Sequence, residues 1–185
     1  MTRPIDIVLK GCPRVVHLPC YDVNPYQRLL MSQLQAKGFG VLDGGGGGNF
    51  LRSALFRWNA KNIHLHWMHP YIIRSTWLGS VWRGSRLVVE LLLLRLAGKR
   101  LVWTVHNLHN HQGVYRSVER LVYRYVSRIV HSVICHSNFA AQQAIRSYKM
   151  NQAKVSISPH PRWQLYSNTI TGHEAREELG LNDAE

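Results

Sequence analysis

The stretch Thr104-Val105-His106-Asn107-Leu108-His109-Asn110-His111 is the most polar run in an otherwise apolar neighbourhood. Its imidazoles and amides can both donate and accept hydrogen bonds to sugar hydroxyls or phosphate oxygens, which an aliphatic turn cannot. A solvated turn rich in Asn and His is the plainer alternative. The eight other histidines do not repeat this density, but His64, His66, His69, His136 and His160 share its context: each lies in the last residues of a strand-like segment or in the loop after it. Eight of the eleven histidines are placed in this way. That edge of an open parallel sheet is where loops and helix N-termini converge and ligands bind.

Other chemistries fit the residues less well. His64 alternates with His66 on one face of a buried strand, where a hydrogen-bonded core histidine is the expectation. Zinc could use imidazoles at these spacings, but no close carboxylate or Cys pair completes a ligand set, and no metal is expected. Asp22 is the carboxylate at the rim of the first strand; a salt bridge is favoured there over a general base. Gly44 to Gly48 lacks the G-x-x-x-x-G-K-[ST] or G-x-G-x-x-G context of a phosphate-cradling loop and reads as a flexible connection.

The elements that must position these residues alternate between strand and helix, the pattern of βα units in a parallel sheet. Strands are predicted over 15–18, 39–42, 63–67, 101–105, 133–135 and 155–157. Asn24 caps a first helix with Pro25 at N1, apolar Tyr26, Leu29, Leu30 and Leu34 on one face, and Gly38 at C′. A brief helix is expected near 51–58, and the second half of segment 71–97 forms a helix ending at Gly98. Val118, Leu121, Val122, Tyr125, Val126 and Ile129 recur at helical spacing, and 139–147 forms another helix. Six such alternations predict an α/β fold: a Rossmann-like, doubly wound, mainly parallel sheet with helices on both faces.

The chain's 185 residues, 45% hydrophobic and 18% charged, suit one globular domain and exclude a disordered or fibrous polymer. Twenty-three Lys+Arg against ten Asp+Glu leave a net charge of +13, which points to an anionic partner. Residues 173–185 differ, with Arg176 as the one Lys/Arg among five acids, and open on a capping box from Thr171 to Glu174 before a helix with Gly180 at C′. Three cysteines without framework spacing, and no leader pattern, fit a reducing cytoplasm. The most apolar run, Leu87 to Leu96, contains Glu90 and Arg95 and is about half the ~20 residues a transmembrane helix needs.

Taken in order, a set of segments resembles the N-terminal half of GT-B glycosyltransferases close to family 4. They are Asn24-Pro25-Tyr26 with Leu29-Leu30; Ile63-His64-Leu65-His66-Trp67; Val102-Trp103-Thr104-Val105-His106-Asn107; Val133-Ile134-Cys135-His136-Ser137; Ser158-Pro159-His160; and Arg176-Glu177-Glu178-Leu179-Gly180-Leu181. The resemblance implies a two-domain hexosyltransferase, retaining in outcome, that moves a sugar from a nucleotide-sugar donor to a glycan or lipid-linked acceptor without a metal. Residues 1–172 would be the acceptor-side domain and 173–185 a linker helix to a donor-binding C-terminal domain. This chain alone would not turn over.

Carried onto matching positions, His106 resembles the cleft histidine that contacts the donor sugar or its phosphate, with Asn107 beside it. His109, His136, Ser137 and His160 would face the same cleft, and Asp22, Asn24, Tyr26, His66, Trp67 and His69 the acceptor. Pro161 stands where the family commonly has Gly, and Pro19 to Asn24 replaces a Gly-Gly turn near the donor pyrophosphate.

Two basic regions complete the reading. Arg116, Arg120, Arg124 and Arg128 are spaced i, i+4 away from their helix's apolar stripe, a like-charge arrangement that costs ~0.2–0.5 kcal/mol per pair and favours an anionic contact. Tyr71, Ile72, Ile73, Trp77, Leu78 and Trp82 interleave with Arg74, Arg83 and Arg86, a composition suited to the headgroup layer of an acidic membrane. Peripheral attachment to the inner face of the membrane is therefore expected. The alternatives are a basic nucleic-acid-binding module, disfavoured because no nucleic-acid motif is visible, and a non-catalytic carbohydrate-binding accessory subunit.

Overall fold

A computed structural model of the 185-residue chain describes residues 12–45, 60–161 and 169–181. Short β-branched runs make the strands: β1 (Arg14–Leu18), β2 (Gly40–Asp43), β3 (Asn62–Leu65), β4 (Arg100–Val105), β5 (Ser132–Cys135) and β6 (Val155–Ile157). Between them stand α1 (Pro25–Ala36), α2 (His69–Ile72), α3 (Trp77–Leu96), α4 (Arg116–Ile129) and α5 (Asn138–Tyr148), with α6 (Gly172–Glu178) following β6. The six strands form one sheet in the order β2-β1-β3-β4-β5-β6, and every neighbouring pair is parallel. This is the predicted Rossmann-like architecture. The chain leaves β1 for β2 on one side and then crosses to β3 on the other, so the switch point of the sheet lies beside β1.

Strand alternation divides the two faces. Val16, Leu18, Ile63, Leu65, Leu101, Trp103, Val105, Val133 and Cys135 join the apolar faces of α2 to α5 in one buried core. The intervening His17, His64 and Thr104 point to the other face, where α1 buries Tyr26, Gln27 and Met31. On the first face α3 and α4 pack closely: a Cβ at Gly84 would stand 2.5 Å from Val122 Cγ2.

The helix signals act as anticipated. Asn24 Oδ1 accepts the Gln27 N–H at 3.2 Å, Pro25 starts α1, and Gly38 follows it at φ +81°. Thr171 and Glu174 form a reciprocal capping box on α6. Three readings change. Strand β3 ends at Leu65, which releases His66 and Trp67 into the loop that follows. The segment before α3 contains the short α2, and Tyr71 and Ile72 within it are buried in the core, so they do not belong to a surface patch. The helix expected near 51–58 lies outside the described residues.

Candidate functional site

Because all strands are parallel, their carboxyl ends share one edge, and the histidines that end or follow them meet there. Tyr26, on the first turn of α1, has the rings of His106, His136, His160 and His66 edge-on around it at centroid distances of 4.8, 5.1, 5.6 and 6.2 Å. His136 and His160, from the ends of β5 and β6, stand 3.9 Å apart. Trp67 stacks on His106 at 4.1 Å and 16°. A narrow hollow runs beside them between His66, Trp67, His69, His106, Asn107 and His109. Its volume of about 10 Å³ is room for a single water at most, so this wall does not enclose a sugar by itself.

Behind the surface, imidazoles bond to imidazoles. His17 Nδ1 lies 2.8 Å from His66 Nε2, and His66 Nδ1 lies 3.1 Å from His106 Nε2. His64 Nε2 lies 2.7 Å from Thr104 Oγ1. Burial dominates the electrostatics. It pushes His17 down to about 4 and, joined by repulsion from His136 and His160, pushes His106 down to about 3. His64 and His66 are held well below the usual imidazole value by burial first and by their histidine neighbours second. The deep imidazoles are therefore neutral at pH 7, as hydrogen-bonding groups should be in a dry interior.

The loops that carry these rings are anchored by buried polar side chains. Gln27 is fully buried; its Oε1 accepts the Tyr21 N–H at 2.8 Å and its Nε2 donates to Pro19 O at 2.7 Å, fixing the turn after β1. Glu119 of α4 is equally buried and accepts from Asn110 N at 3.0 Å, Asn110 Nδ2 at 2.9 Å and Tyr123 OH at 3.0 Å. Asn110 also closes its own turn, accepting from Val114 N and donating to Val114 O. The polar run after β4 is thus a built loop and not a loosely solvated turn. Tyr148 OH adds a hydrogen bond to Leu108 O.

The residues singled out by sequence distribute as follows. His66, Trp67, His106, His136, His160 and Tyr26 form the ring cluster, while His69, Asn107 and His109 line the adjoining hollow. His111 is exposed, with Nε2 3.2 Å from Asn107 Nδ2. His136 Nδ1 donates to Ser158 O at 2.8 Å. Asn24 and Ser137 have structural employment as helix caps, the latter through Oγ accepting Ala140 N–H at 3.1 Å. Asp22 is exposed and forms no ion pair among the described residues, so the favoured salt bridge is not there.

Sequence reasoning passed over His17, Gln27 and Glu119. His17 had a legible signal, since it occupies the penultimate position of a strand that ends at the same edge. Together His17, His64 and His66 offer nitrogens within 4.8 Å of one another, enough to consider a metal. His17 Nδ1 and His66 Nε2 instead face each other and His64 Nε2 faces Thr104 at hydrogen-bond distance, and no thiolate or carboxylate of the described residues joins the group. Two thiols are poor nucleophiles as well: burial, with Asp43 alongside, pushes Cys20 up to about 12, and burial also raises Cys135. A larger hollow of about 290 Å³ lies between α1 and the strands, lined by Val15, Leu30, Leu34, Phe39 and Val102 with Asn62, His64 and Arg100 among them. It is mostly apolar, and Asn62 and Arg100 place it toward the amino ends of β3 and β4, so the small hollow at the carboxyl ends is the better site.

Fold and site together define a doubly wound α/β protein with an aromatic and imidazole-lined edge at the carboxyl ends of its strands. No family model matches the chain, and no curated protein matches it.

Proposed function

We propose that this chain is the acceptor-side half of a glycosyltransferase that moves a sugar from a nucleotide-sugar donor to a glycan or lipid-linked acceptor next to a membrane. The observation that carries the reading is the convergence of His66, His106, His136 and His160 around Tyr26, with Trp67 stacked on His106. Aromatic faces suit sugar rings, and neutral imidazoles suit hydroxyl and phosphate oxygens. The wall is open, as half a crevice should be, and a partner domain would supply the other side and most of the donor contacts. In this reading His106 meets the donor, Asn107, His109, His136 and His160 flank it, and Tyr26, His66, Trp67 and His69 face the acceptor.

The membrane part rests on the outer surface of α3 and α4. Leu78, Trp82, Val89, Leu92 and Leu96 recur at spacings of three, four and seven along α3, all exposed, and Leu121 and Tyr125 are exposed on α4. Arg116, Arg120 and Arg128 are exposed beside them, with Arg124 half-buried. Glu90 and Glu119, the acids of these two helices, are both turned inward. An apolar ridge edged by Arg with its acids hidden matches an anionic headgroup layer. No described helix is long and apolar enough to cross a membrane.

Titrating the 15N-labelled chain with nucleotide sugars and short glycans tests the site. Shifts confined to Tyr26, Trp67, His106 and their neighbours are expected, and saturation with no shift at that edge would overturn the assignment. Tight, salt-dependent binding of random oligonucleotides at the Arg face, without vesicle binding, would transfer that face to a nucleic-acid role.

A further inference from the structure

Three imidazoles, one in β1 and two just past the ends of β3 and β4, form a hydrogen-bonded line from the core to the site: His17 Nδ1 to His66 Nε2 at 2.8 Å, and His66 Nδ1 to His106 Nε2 at 3.1 Å. A neutral imidazole has one N–H and one bare nitrogen. Since His66 uses both its nitrogens, the line can run in just two directions. In one, every N–H points outward: His17 Nδ1–H donates to His66, His66 Nδ1–H donates to His106 Nε2, and His106 carries its proton on Nδ1. In the other, every N–H points inward, and the last proton sits on His17 Nε2.

The far end of the line decides between them. His17 Nε2 is buried and has no hydrogen-bond partner among the described residues. The inward direction would leave an N–H there with nothing to receive it, whereas the outward direction leaves only a bare lone pair. Orphaned buried donors are the rarer of the two in folded proteins, because a missing acceptor forfeits the whole hydration of the N–H. His64 does not interfere, being engaged with Thr104.

We infer that His17 and His66 are positioning residues that hold His106 as the Nδ1–H tautomer, so that the site presents a neutral hydrogen-bond donor to a ligand oxygen and not a base. Burial, which keeps all three rings uncharged, supports this arrangement. The oxygen is that of a phosphate or a sugar hydroxyl, the two acceptors that a fixed N–H beside an aromatic ring suits. A base at the same nitrogen would require the whole line to reverse and bury an unpaired N–H. The inference concerns the site of the transferase reading and takes from it only that Nδ1 of His106 meets the ligand.

The tautomers are measurable without turnover, so the lock and the transferase reading can fail separately. Two-bond 1H–15N correlation spectra of the 15N-histidine-labelled chain at pH 7.5 distinguish protonated from bare ring nitrogens. The expected result is Nδ1–H at His17, His66 and His106; Nε2–H at His106 overturns the inference. His17→Asn retains a donor near the Nδ1 position and should leave the His106 signature in place. His66→Leu removes the donor to His106 Nε2 and should move His106 toward a mixture of the two tautomers. An unchanged pure Nδ1–H signature in H66L would show that the line does not hold His106. Should H66L fail to fold, the wild-type and H17N spectra decide the matter on the same criteria.

Discussion

The histidine edge and the outer face of α3 and α4 solve the problem of placing polar groups in opposite ways. At the edge, His17, His64 and His66 are taken into the interior, stripped of charge by burial and bonded to one another or to Thr104. On the outer face the guanidinium groups of Arg116, Arg120 and Arg128 remain exposed, while Glu90 and Glu119 are drawn inward. Glu90 keeps an ion pair with Arg86 at 2.7 Å, and Glu119 is spent on anchoring the loop that carries the histidines. A single acidic side chain therefore serves both regions. It removes negative charge from the outer face and holds the His106 loop in shape.

The comparison breaks most visibly with acid. Histidines whose folded values lie below the unfolded one contribute stability that is complete above about pH 6.5 and is lost as pH falls toward the folded value, because the unfolded chain takes up protons first. His17 at about 4 and His106 at about 3 should each cost about 1.4 kcal/mol per pH unit across that window, with His64 and His66 adding to the slope. Urea midpoints followed by tryptophan fluorescence should be flat above pH 7 and fall steeply between pH 6.5 and 4. A flat midpoint down to pH 5 would contradict buried, neutral imidazoles.

Next in size is the effect on the proposed transferase activity. On that reading, in a polypeptide that carries a donor-binding domain as well, His106→Ala should lower turnover by about 100- to 1,000-fold, the usual cost of losing one preorganised donor. A kcat within threefold of the parent would remove His106 from the site. On the other face, replacing Arg116, Arg120 and Arg128 together with Ala should weaken binding to phosphatidylserine vesicles by about 3 kcal/mol, at roughly 1 kcal/mol per residue, with the urea midpoint unchanged. Equal binding of parent and triple variant in a sedimentation assay would separate the Arg ridge from lipid. The smallest effect is structural. Gly84→Ala should destabilise the chain by about 1–3 kcal/mol, since its Cβ would meet Val122 Cγ2 at 2.5 Å and push α3 away from α4.

Much of the architecture was legible because its signals are local. Pro25 after Asn24, the capping box at Thr171, and Gly38, Gly98 and Gly180 at positive φ act through their own backbone neighbourhood, which sequence spacing reports directly. The histidine edge was legible one step further on, since parallel strands bring their carboxyl ends together whatever their order. The short α2 and the inward course of Tyr71 and Ile72 were not, because their apolar and aromatic composition fits a core and a membrane surface equally well. Gln27 and Glu119 were missed for a related reason: nothing in a helix sequence announces that a polar side chain will be fully buried beneath a distant loop.

By itself the amino-acid order determined that helices and parallel strands would alternate, that imidazoles would gather at one edge, and that the chain would be strongly basic. These follow from periodicity, capping and counting. Only the tertiary structure decided that His17, forty-nine residues from His66, would bond to it, and that the acids of α3 and α4 would face inward while the arginines faced out. Sheet order and helix rotation set those relations. Both depend on how the whole apolar surface is buried at once, and no local stretch of sequence contains that information.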